Sequence, residues 1–303
     1  MSVDVSTVIP AARTSAAAGA RQVAADYFEL TKPKVQTLLL FTTIASMEIA
    51  GDPKVSKIAL TCLGGYLSAG GAGAVNHYYD RDIDAQMKRT ATRPVPAGRI
   101  SPRAALTFGI GLAALSFVLM WLTLGLLPAS LALSGFLGYV FVYTMWLKRT
   151  TPQNIVIGGA AGAVPPLVGW AATRGSLSWT AVYLFAIVFY WTPPHFWALS
   201  LLMKDEYAKV KIPMMPVVRG ERETRRQILL YTLLLYAVSQ LPFCAGEFGA
   251  IYLAASMLLG LAFVCGAVML YRRADRRTAL RLYLFSLAYL ALLFGAMVAD
   301  VKL

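Results

Sequence analysis

Three side chains with hard oxygen ligands, Asn76, Asp80 and Asp84, recur at four-residue intervals in one short segment of the sequence. At about 100° per residue they fall within about 80° of one helical face, with His77 beside them and Asp82 pointing away. Mg²⁺ takes one or two carboxylates, keeps several waters and accepts its remaining oxygens from a substrate phosphate. The row therefore predicts a Mg²⁺ site for a phosphorylated substrate.

A second acidic segment, Asp205 with Glu206, follows a later apolar run at the same predicted depth. Two acidic helix ends that face each other across basic residues would form a Mg²⁺-diphosphate site. Basic residues that follow the first row would neutralise the phosphate charge. They are Arg81, Lys88, Arg89, Arg93 and Arg99. The residues by themselves leave two other interpretations open, an ion pathway and a solvated helix end at the lipid headgroups.

An aromatic run surrounds the adjacent prolines Pro193 and Pro194. The prolines predict a broken helix, which is tolerated inside a membrane only where protein or a cavity satisfies the freed backbone groups. Trp191, His195 and Trp197 supply flat apolar faces and one imidazole, which suit a porphyrin plane and its iron or propionates. The alternative is an interfacial aromatic belt in which His195 is a packed polar residue.

The elements that position these residues are membrane helices. Hydrophobic residues make up 58% of the 303 residues and charged residues only 14%, against roughly 25% charged in soluble domains. A spanning helix needs about 20 apolar residues, and the apolar runs predict about nine such helices. They lie near residues 34–50, 58–79, 104–124, 128–147, 154–172, 178–202, 227–245, 250–270 and 279–299. The expected fold class is an all-α polytopic membrane protein with a central intramembrane cavity.

Basic residues predict the orientation of these helices. Most of the 28 lysines and arginines fall on one side of the membrane if the N-terminus is cytoplasmic, so the positive-inside rule predicts N-in and C-out. The net charge of +13 is interpreted as membrane orientation rather than nucleic-acid binding. Residues 1–27 are expected to form a flexible cytoplasmic extension, and residues 28–303 a single transmembrane domain.

The acidic motifs resemble those of the UbiA superfamily of intramembrane prenyltransferases, which have N-x-x-x-D-x-x-x-D after the second helix and an Asp-rich motif after the sixth. Asn76, Asp80 and Asp84 match the first motif completely. The second motif departs from the commoner form, because Lys209 stands four residues after Asp205, and Glu206 is a candidate substitute. Over residues 27–300 the chain looks like the haem-prenylating branch of the superfamily. Segments 30–34, 88–98, 148–170 and 191–197 support this likeness.

The resemblance implies Mg²⁺-dependent transfer of a farnesyl group from farnesyl diphosphate to a vinyl group of haem b, with addition of water, to give haem o for terminal oxidases. It implies three sets of residues: catalytic metal ligands Asn76, Asp80, Asp84 and Asp205; diphosphate contacts Lys34, Arg93, Lys148 and Arg149; and haem contacts Asn154, Trp191, His195 and Trp197. The alternatives are a UbiA-type enzyme acting on an aromatic quinone precursor, and a haem or ion transporter or scaffold.

The same resemblance implies the surroundings of the protein. The expected location is the bacterial cytoplasmic (inner) membrane, with lipid around the helices and the mouth of the active site facing the cytoplasm. A haem a synthase or terminal-oxidase assembly factors are the further partners that this function suggests, and no nucleic acid is expected.

Overall fold

The computed structural model describes residues 16–303, and all regular structure in this range is helical. Apolar side chains dominate the long helices, as expected where lipid is the solvent. The elements are α1 (Ala16–Leu30), α2 (Pro33–Ala50), α3 (Val55–Tyr79), α4 (Arg81–Asp84), α5 (Pro102–Leu124), α6 (Leu126–Leu137), a π-helix (Gly138–Leu147), α7 (Lys148–Thr150), α8 (Asn154–Arg174), α9 (Trp179–Leu202), α10 (Lys204–Lys209), α11 (Met215–Val218), α12 (Gly220–Val238), α13 (Leu241–Cys244), α14 (Ala250–Arg273) and α15 (Arg276–Lys302).

Seven helical segments are long and apolar enough to cross a membrane, and each overlaps a predicted span. They are Val55–Tyr79, Pro102–Leu124, Leu126–Thr150, Asn154–Arg174, Gly220–Cys244, Ala250–Arg273 and Arg276–Lys302. The protein is therefore a multi-pass membrane protein. The other two predicted spans coincide with α2, of 18 residues, and α9, of 24 residues, which are not among the seven. The count of nine and the N-in orientation stay predictions.

The long helices form a closed ring in chain order. Each packs against the next from α2 to α3, α5, α6, α8, α9, α12, α14 and α15, and α15 returns to α2. Contacts of α2 with α8 and of α9 with α15 cross this ring. The largest apolar cluster joins α9, α12, α14 and α15, so this half of the molecule forms the densest part of the core.

Glycines on α3 set its approach to two neighbours. A Cβ on Gly71 would lie 2.6 Å from the carbonyl oxygen of Gly109, so α3 and α5 pack backbone against backbone. A Cβ on Gly73 would lie 3.0 Å from the carbonyl oxygen of Leu30, at the turn between α1 and α2. The glycines of α3 thus allow close packing against α5 and the α1–α2 turn.

The N-terminal segment differs from its predicted flexible state over its described part. Residues 1–15 of the predicted extension lie outside the described residues, but α1 begins at Ala16. Arg99 donates to the buried carboxylate of Asp26 at 3.0 Å, and the ring of Tyr27 packs edge-on against Phe108 at 4.9 Å. These long-range contacts order a segment whose composition predicts fraying.

The break predicted at Pro193 and Pro194 is wrong, because α9 continues through both prolines. Each proline removes one backbone hydrogen bond. The carbonyl groups that they leave free belong to Phe189 and Tyr190, and α8, α12 and α15 pack around the helix. Packing against neighbouring helices commonly preserves proline-containing membrane helices.

Candidate functional site

The acidic row forms one buried face where α3 ends and α4 begins. Asn76, Asp80 and Asp84 are 3%, 1% and 4% exposed, whereas the side chain of Asp82 is 57% exposed. Backbone bonds from Asp80 N–H to Asn76 O (2.9 Å) and from Asp84 N–H to Asp80 O (2.8 Å) hold the helical register across the junction. The Asn76 amide donates to Asp80 Oδ2 at 2.7 Å. The three side chains therefore share one face, as their spacing predicts.

Three cations from two other parts of the chain contact this row. Arg93 pairs with Asp84 at 2.7 Å, Lys148 pairs with Asp80, and Arg149 lies 3.6 Å from Asp80 and 2.8 Å from Asp82. Each of these three cations was predicted from the resemblance as a diphosphate contact. Lys34 belongs to the same predicted set, but its side chain is exposed at the start of α2.

Lys32 occupies the position in the site that was predicted for Lys34. Its ammonium group donates to Asn76 Oδ1 and lies 3.4 Å from the Tyr139 hydroxyl. The Lys32 backbone is left-handed, with φ 54° and ψ 55°, a conformation that costs about 1–2 kcal/mol for a residue with a side chain. Such strain persists only where the surrounding structure holds it, and it is concentrated at functional sites. In the sequence, the only indication that Lys32 belongs to the site is that two lysines flank Pro33, and this pattern does not show which of them reaches the row.

The π-helix turns the next group of side chains toward the row. Its hydrogen bonds skip five residues, as from Lys148 N–H to Tyr143 O, so it advances by about 80° per residue instead of about 100°. Between Tyr139 and Lys148 this difference accumulates to about 180°. Both side chains therefore lie on one face of the π-helix, whereas an α-helix would put them on opposite faces. Thr144 lies between them and accepts a hydrogen bond from the Asn76 amide at 3.2 Å. The π-helix therefore delivers a phenol, a hydroxyl and an ammonium group to one place.

The site holds more positive than negative charge. Four cations, Lys32, Arg93, Lys148 and Arg149, contact the row, which holds only two buried carboxylates, those of Asp80 and Asp84. Burial, followed by the charges of Arg93 and Lys148, lowers the pKa of Lys32 to about 7. Cations that lower each other's proton affinity are stabilised when an anion binds among them. A diphosphate has enough negative charge to balance these cations.

The donor set fits Mg²⁺ when the substrate supplies the remaining ligands. Asp80 Oδ1 is a buried carboxylate oxygen with no hydrogen-bond partner, beside the amide oxygen of Asn76 and the carboxylate of Asp84. Within residues 16–303 no cluster of three or more His, Cys, Asp or Glu side chains is close enough to hold a metal alone. The site thus offers only a few protein ligands, all of them hard oxygens. This matches the preference of Mg²⁺ for substrate phosphates and water as its remaining ligands.

The second acidic segment lies in α10. The Asp205 side chain is exposed, whereas Glu206 Oε2 is buried without a hydrogen-bond partner. Burial raises the pKa of the neighbouring Tyr207. Of the two acids, Glu206 is thus the one turned into the protein, and the metal-ligand role assigned to Asp205 stays a prediction.

The predicted haem contacts have three separate sets of neighbours. His195 stacks between the rings of Trp191 and Tyr283, at centroid distances of 4.3 and 4.8 Å. Its Nδ1 bonds to the Ser286 hydroxyl at 2.7 Å, and Trp191 donates to the Ser286 carbonyl oxygen at the same distance. These contacts join α9 to α15.

The other two residues of the set face elsewhere. Trp197 packs edge-on against Tyr231 of α12 at 5.2 Å, with its indole N–H buried and unpartnered. The Asn154 amide donates to the Thr151 carbonyl oxygen at 2.7 Å, and its Oδ1 is likewise buried and unpartnered. Haem contact by these four residues stays a prediction.

Sequence comparison identifies the family. The model of the UbiA prenyltransferase family matches residues 39–293. A protoheme IX farnesyltransferase of Chloroflexus aurantiacus is 54% identical over 282 residues, which cover 92% of this chain and 48% of that protein. The protein of the same name from Symbiobacterium thermophilum is 54% identical over 284 residues, which cover 92% and 95% of the two chains. The chain spans about half the length of the relatives from Chloroflexus aurantiacus and Thermus thermophilus.

Solved structures share the fold at lower identity. A structure described for digeranylgeranylglyceryl phosphate synthase in membranes has a TM-score of 0.78 and 20% identity over 93% of this chain and all of that one. A UbiA homolog from Archaeoglobus fulgidus bound to GPP and Mg²⁺ has a TM-score of 0.66 and 14% identity, covering 90% and 99% of the two chains. With the family match extending over most of the sequence, this chain belongs to the UbiA prenyltransferase family.

Proposed function

We propose that the protein transfers a farnesyl group from farnesyl diphosphate to a vinyl group of haem b, with addition of water, to give haem o. The observation that carries the prenyl-transfer part is the buried carboxylate row surrounded by Lys32, Arg93, Lys148 and Arg149. Support for the farnesyl donor and haem acceptor comes from relatives named protoheme IX farnesyltransferase.

The cations would bind the diphosphate and the carboxylate row its metal. Asn76, Asp80 and Asp84, with Asp205 or Glu206, would hold Mg²⁺, and bound Mg²⁺ would neutralise charge on the departing diphosphate. The UbiA homolog from Archaeoglobus fulgidus that is bound to GPP and Mg²⁺ supports this assignment. Lys32 and Lys148 would exchange their present carboxamide and carboxylate partners for phosphate oxygens, because ion pairs with phosphate are strong.

The bond from farnesyl C1 to the diphosphate oxygen would break, and the terminal vinyl carbon of haem would form the new bond to C1. Positive charge then moves to the carbon next to the pyrrole ring, where water adds and a proton is lost. A lipid-enclosed cavity suits these reaction steps, because bulk water would quench the allylic cation before it reached the vinyl group. Trp191, His195, Trp197 and Asn154 are the proposed haem contacts.

The proposed location is the bacterial cytoplasmic membrane with the acidic row at the cytoplasmic side. The clustering of lysines and arginines near this end of the helices supports it through the positive-inside rule. Haem o would pass to a haem a synthase or to factors that assemble terminal oxidases.

The test is reconstitution of the purified protein in lipid with haem b, farnesyl diphosphate and Mg²⁺, followed by mass analysis of the porphyrin. The expected product has gained a farnesyl group and a hydroxyl group, and removal of Mg²⁺ with a chelator stops its formation. Unchanged haem together with prenylation of a phenolic acid would replace the proposal by a quinone-precursor prenyltransferase. Haem or ion movement across liposomes with intact farnesyl diphosphate would replace it by a transporter.

A further inference from the structure

His77 is a buried side chain for which the acidic row provides no partner. It is 1% exposed, and neither ring nitrogen has a hydrogen-bond partner within the described chain. The other histidine, His195, is also buried, but its Nδ1 bonds to Ser286 and its ring lies between two aromatic rings. Burial in this fold therefore does not by itself leave a histidine unpaired.

The position of His77 on α3 directs it toward the cations of the site. It follows Asn76 directly and lies one helical turn after Gly73, where a Cβ would lie 3.0 Å from the Leu30 carbonyl oxygen and 3.5 Å from the Lys32 side chain. Asn76 accepts from the Lys32 ammonium group, and Asp80, three residues after His77, pairs with Lys148. An unpaired imidazole thus lies on α3 between two residues of the row that cations contact.

We propose that His77 donates a hydrogen bond to the diphosphate of the prenyl donor, an inference that rests on the proposed function. A neutral imidazole has one N–H donor and one acceptor nitrogen. Amid cations, the ligand that would complete the donor is an anion with several oxygens. A buried N–H donor without a partner lowers the stability of the unliganded protein. A phosphate oxygen that accepts from this donor removes the penalty, and the difference contributes to the binding free energy. His77 would act as a binding and positioning residue, separate from the metal ligands.

The experiment measures binding of inorganic pyrophosphate with Mg²⁺ to the full chain in lipid nanodiscs. His77→Leu removes the donor, and His77→Gln keeps an N–H donor. A hydrogen bond to a charged group contributes enough that its loss should weaken pyrophosphate binding by about 10- to 100-fold in His77→Leu. His77→Gln should recover most of the affinity. Thr61→Val, a conservative substitution of a buried residue near the opposite end of α3, should leave pyrophosphate affinity unchanged.

A second measurement uses the unsubstituted protein and so does not depend on how a variant folds. The chain has only two histidines, so ¹⁵N-histidine labelling yields two sets of ring signals, which His195→Gln assigns. Pyrophosphate with Mg²⁺ should shift the His77 ring signals and leave those of His195 in place. Bound pyrophosphate with unmoved His77 signals, or His77→Leu with unchanged affinity, would overturn the inference while the proposed function stands. If the unsubstituted protein does not bind pyrophosphate, the proposed function itself fails.

Discussion

Substitution of Asp80 by asparagine separates a functional carboxylate row from a solvated helix end. Asp80 accepts hydrogen bonds from Asn76 and Lys148 and adjoins Arg149 at 3.6 Å, while 1% exposed. Asparagine preserves its shape but removes one negative charge from beside two cations. Loss of one group that stabilises developing charge lowers turnover by about 10²- to 10³-fold, which is about 3–4 kcal/mol of activation free energy.

The cost of the same substitution to folding is smaller. Lys148 keeps partial contact with solvent, with its side chain 15% exposed, so its charge is not stranded in an apolar core. Loss of the charged hydrogen bond should lower the free energy of unfolding by about 1–3 kcal/mol. Turnover should therefore fall far more than stability, and Asp84→Asn, which removes the partner of Arg93, should behave alike.

Asp82→Asn is the matched control, because Asp82 lies in the same segment with its side chain exposed. Its ion pair with Arg149 lies at the surface, where such pairs contribute about 0–1 kcal/mol. The assay compares haem-product formation and thermal unfolding for Asp80→Asn and Asp82→Asn in the same nanodiscs. Turnover of Asp80→Asn within about fivefold of Asp82→Asn, about 1 kcal/mol, would refute the role assigned to the row.

Three further predictions concern the groups around the row. Lys32→Met should weaken farnesyl diphosphate binding by at least about 10-fold and Lys34→Met should not, as measured by KM for each variant; equal effects would contradict the placement of Lys32. Because the pKa of Lys32 is about 7 in the folded protein and 10.5 in a free side chain, pyrophosphate should bind with proton uptake at pH 8 to 9 and with little uptake below pH 6. Calorimetry in buffers of different ionisation enthalpy detects this, and uptake independent of pH would be evidence against it. Gly71→Ala should lower the free energy of unfolding by about 1–3 kcal/mol by overpacking α3 against α5, whereas Gly111→Ala, which has open space at its Cβ, should be neutral or stabilising; equal melting temperatures would contradict the close contact.

Local periodicity was sufficient to predict the acidic row. Four-residue spacing puts Asn76, Asp80 and Asp84 on one face wherever the chain is helical, and the structure keeps that register across the junction of α3 and α4. Apolar runs likewise predicted the long helices to within several residues, because a helix that crosses lipid needs about 20 predominantly apolar residues. The shared face of the row and the positions of the long helices both depend on residues that are close together along the chain.

The errors arose where distant contacts decide local structure. Prolines predict a break in α9, yet three packed helices preserve it. Composition predicts fraying before residue 28, yet Asp26 and Tyr27 are anchored by Arg99 and Phe108. In each case the stabilising partner lies far away in sequence, and no local pattern reports its presence.

The sequence by itself determined that this protein spans a membrane, that it has a row of side chains with hard oxygen atoms at a helix end, and that basic residues accompany the row. Only the tertiary structure decided which cations reach the row. A left-handed residue selects Lys32 over Lys34, and a π-helix rotates Tyr139 onto the face of Lys148. Both choices depend on backbone dihedral angles that packing imposes, and many side-chain sequences are compatible with either conformation.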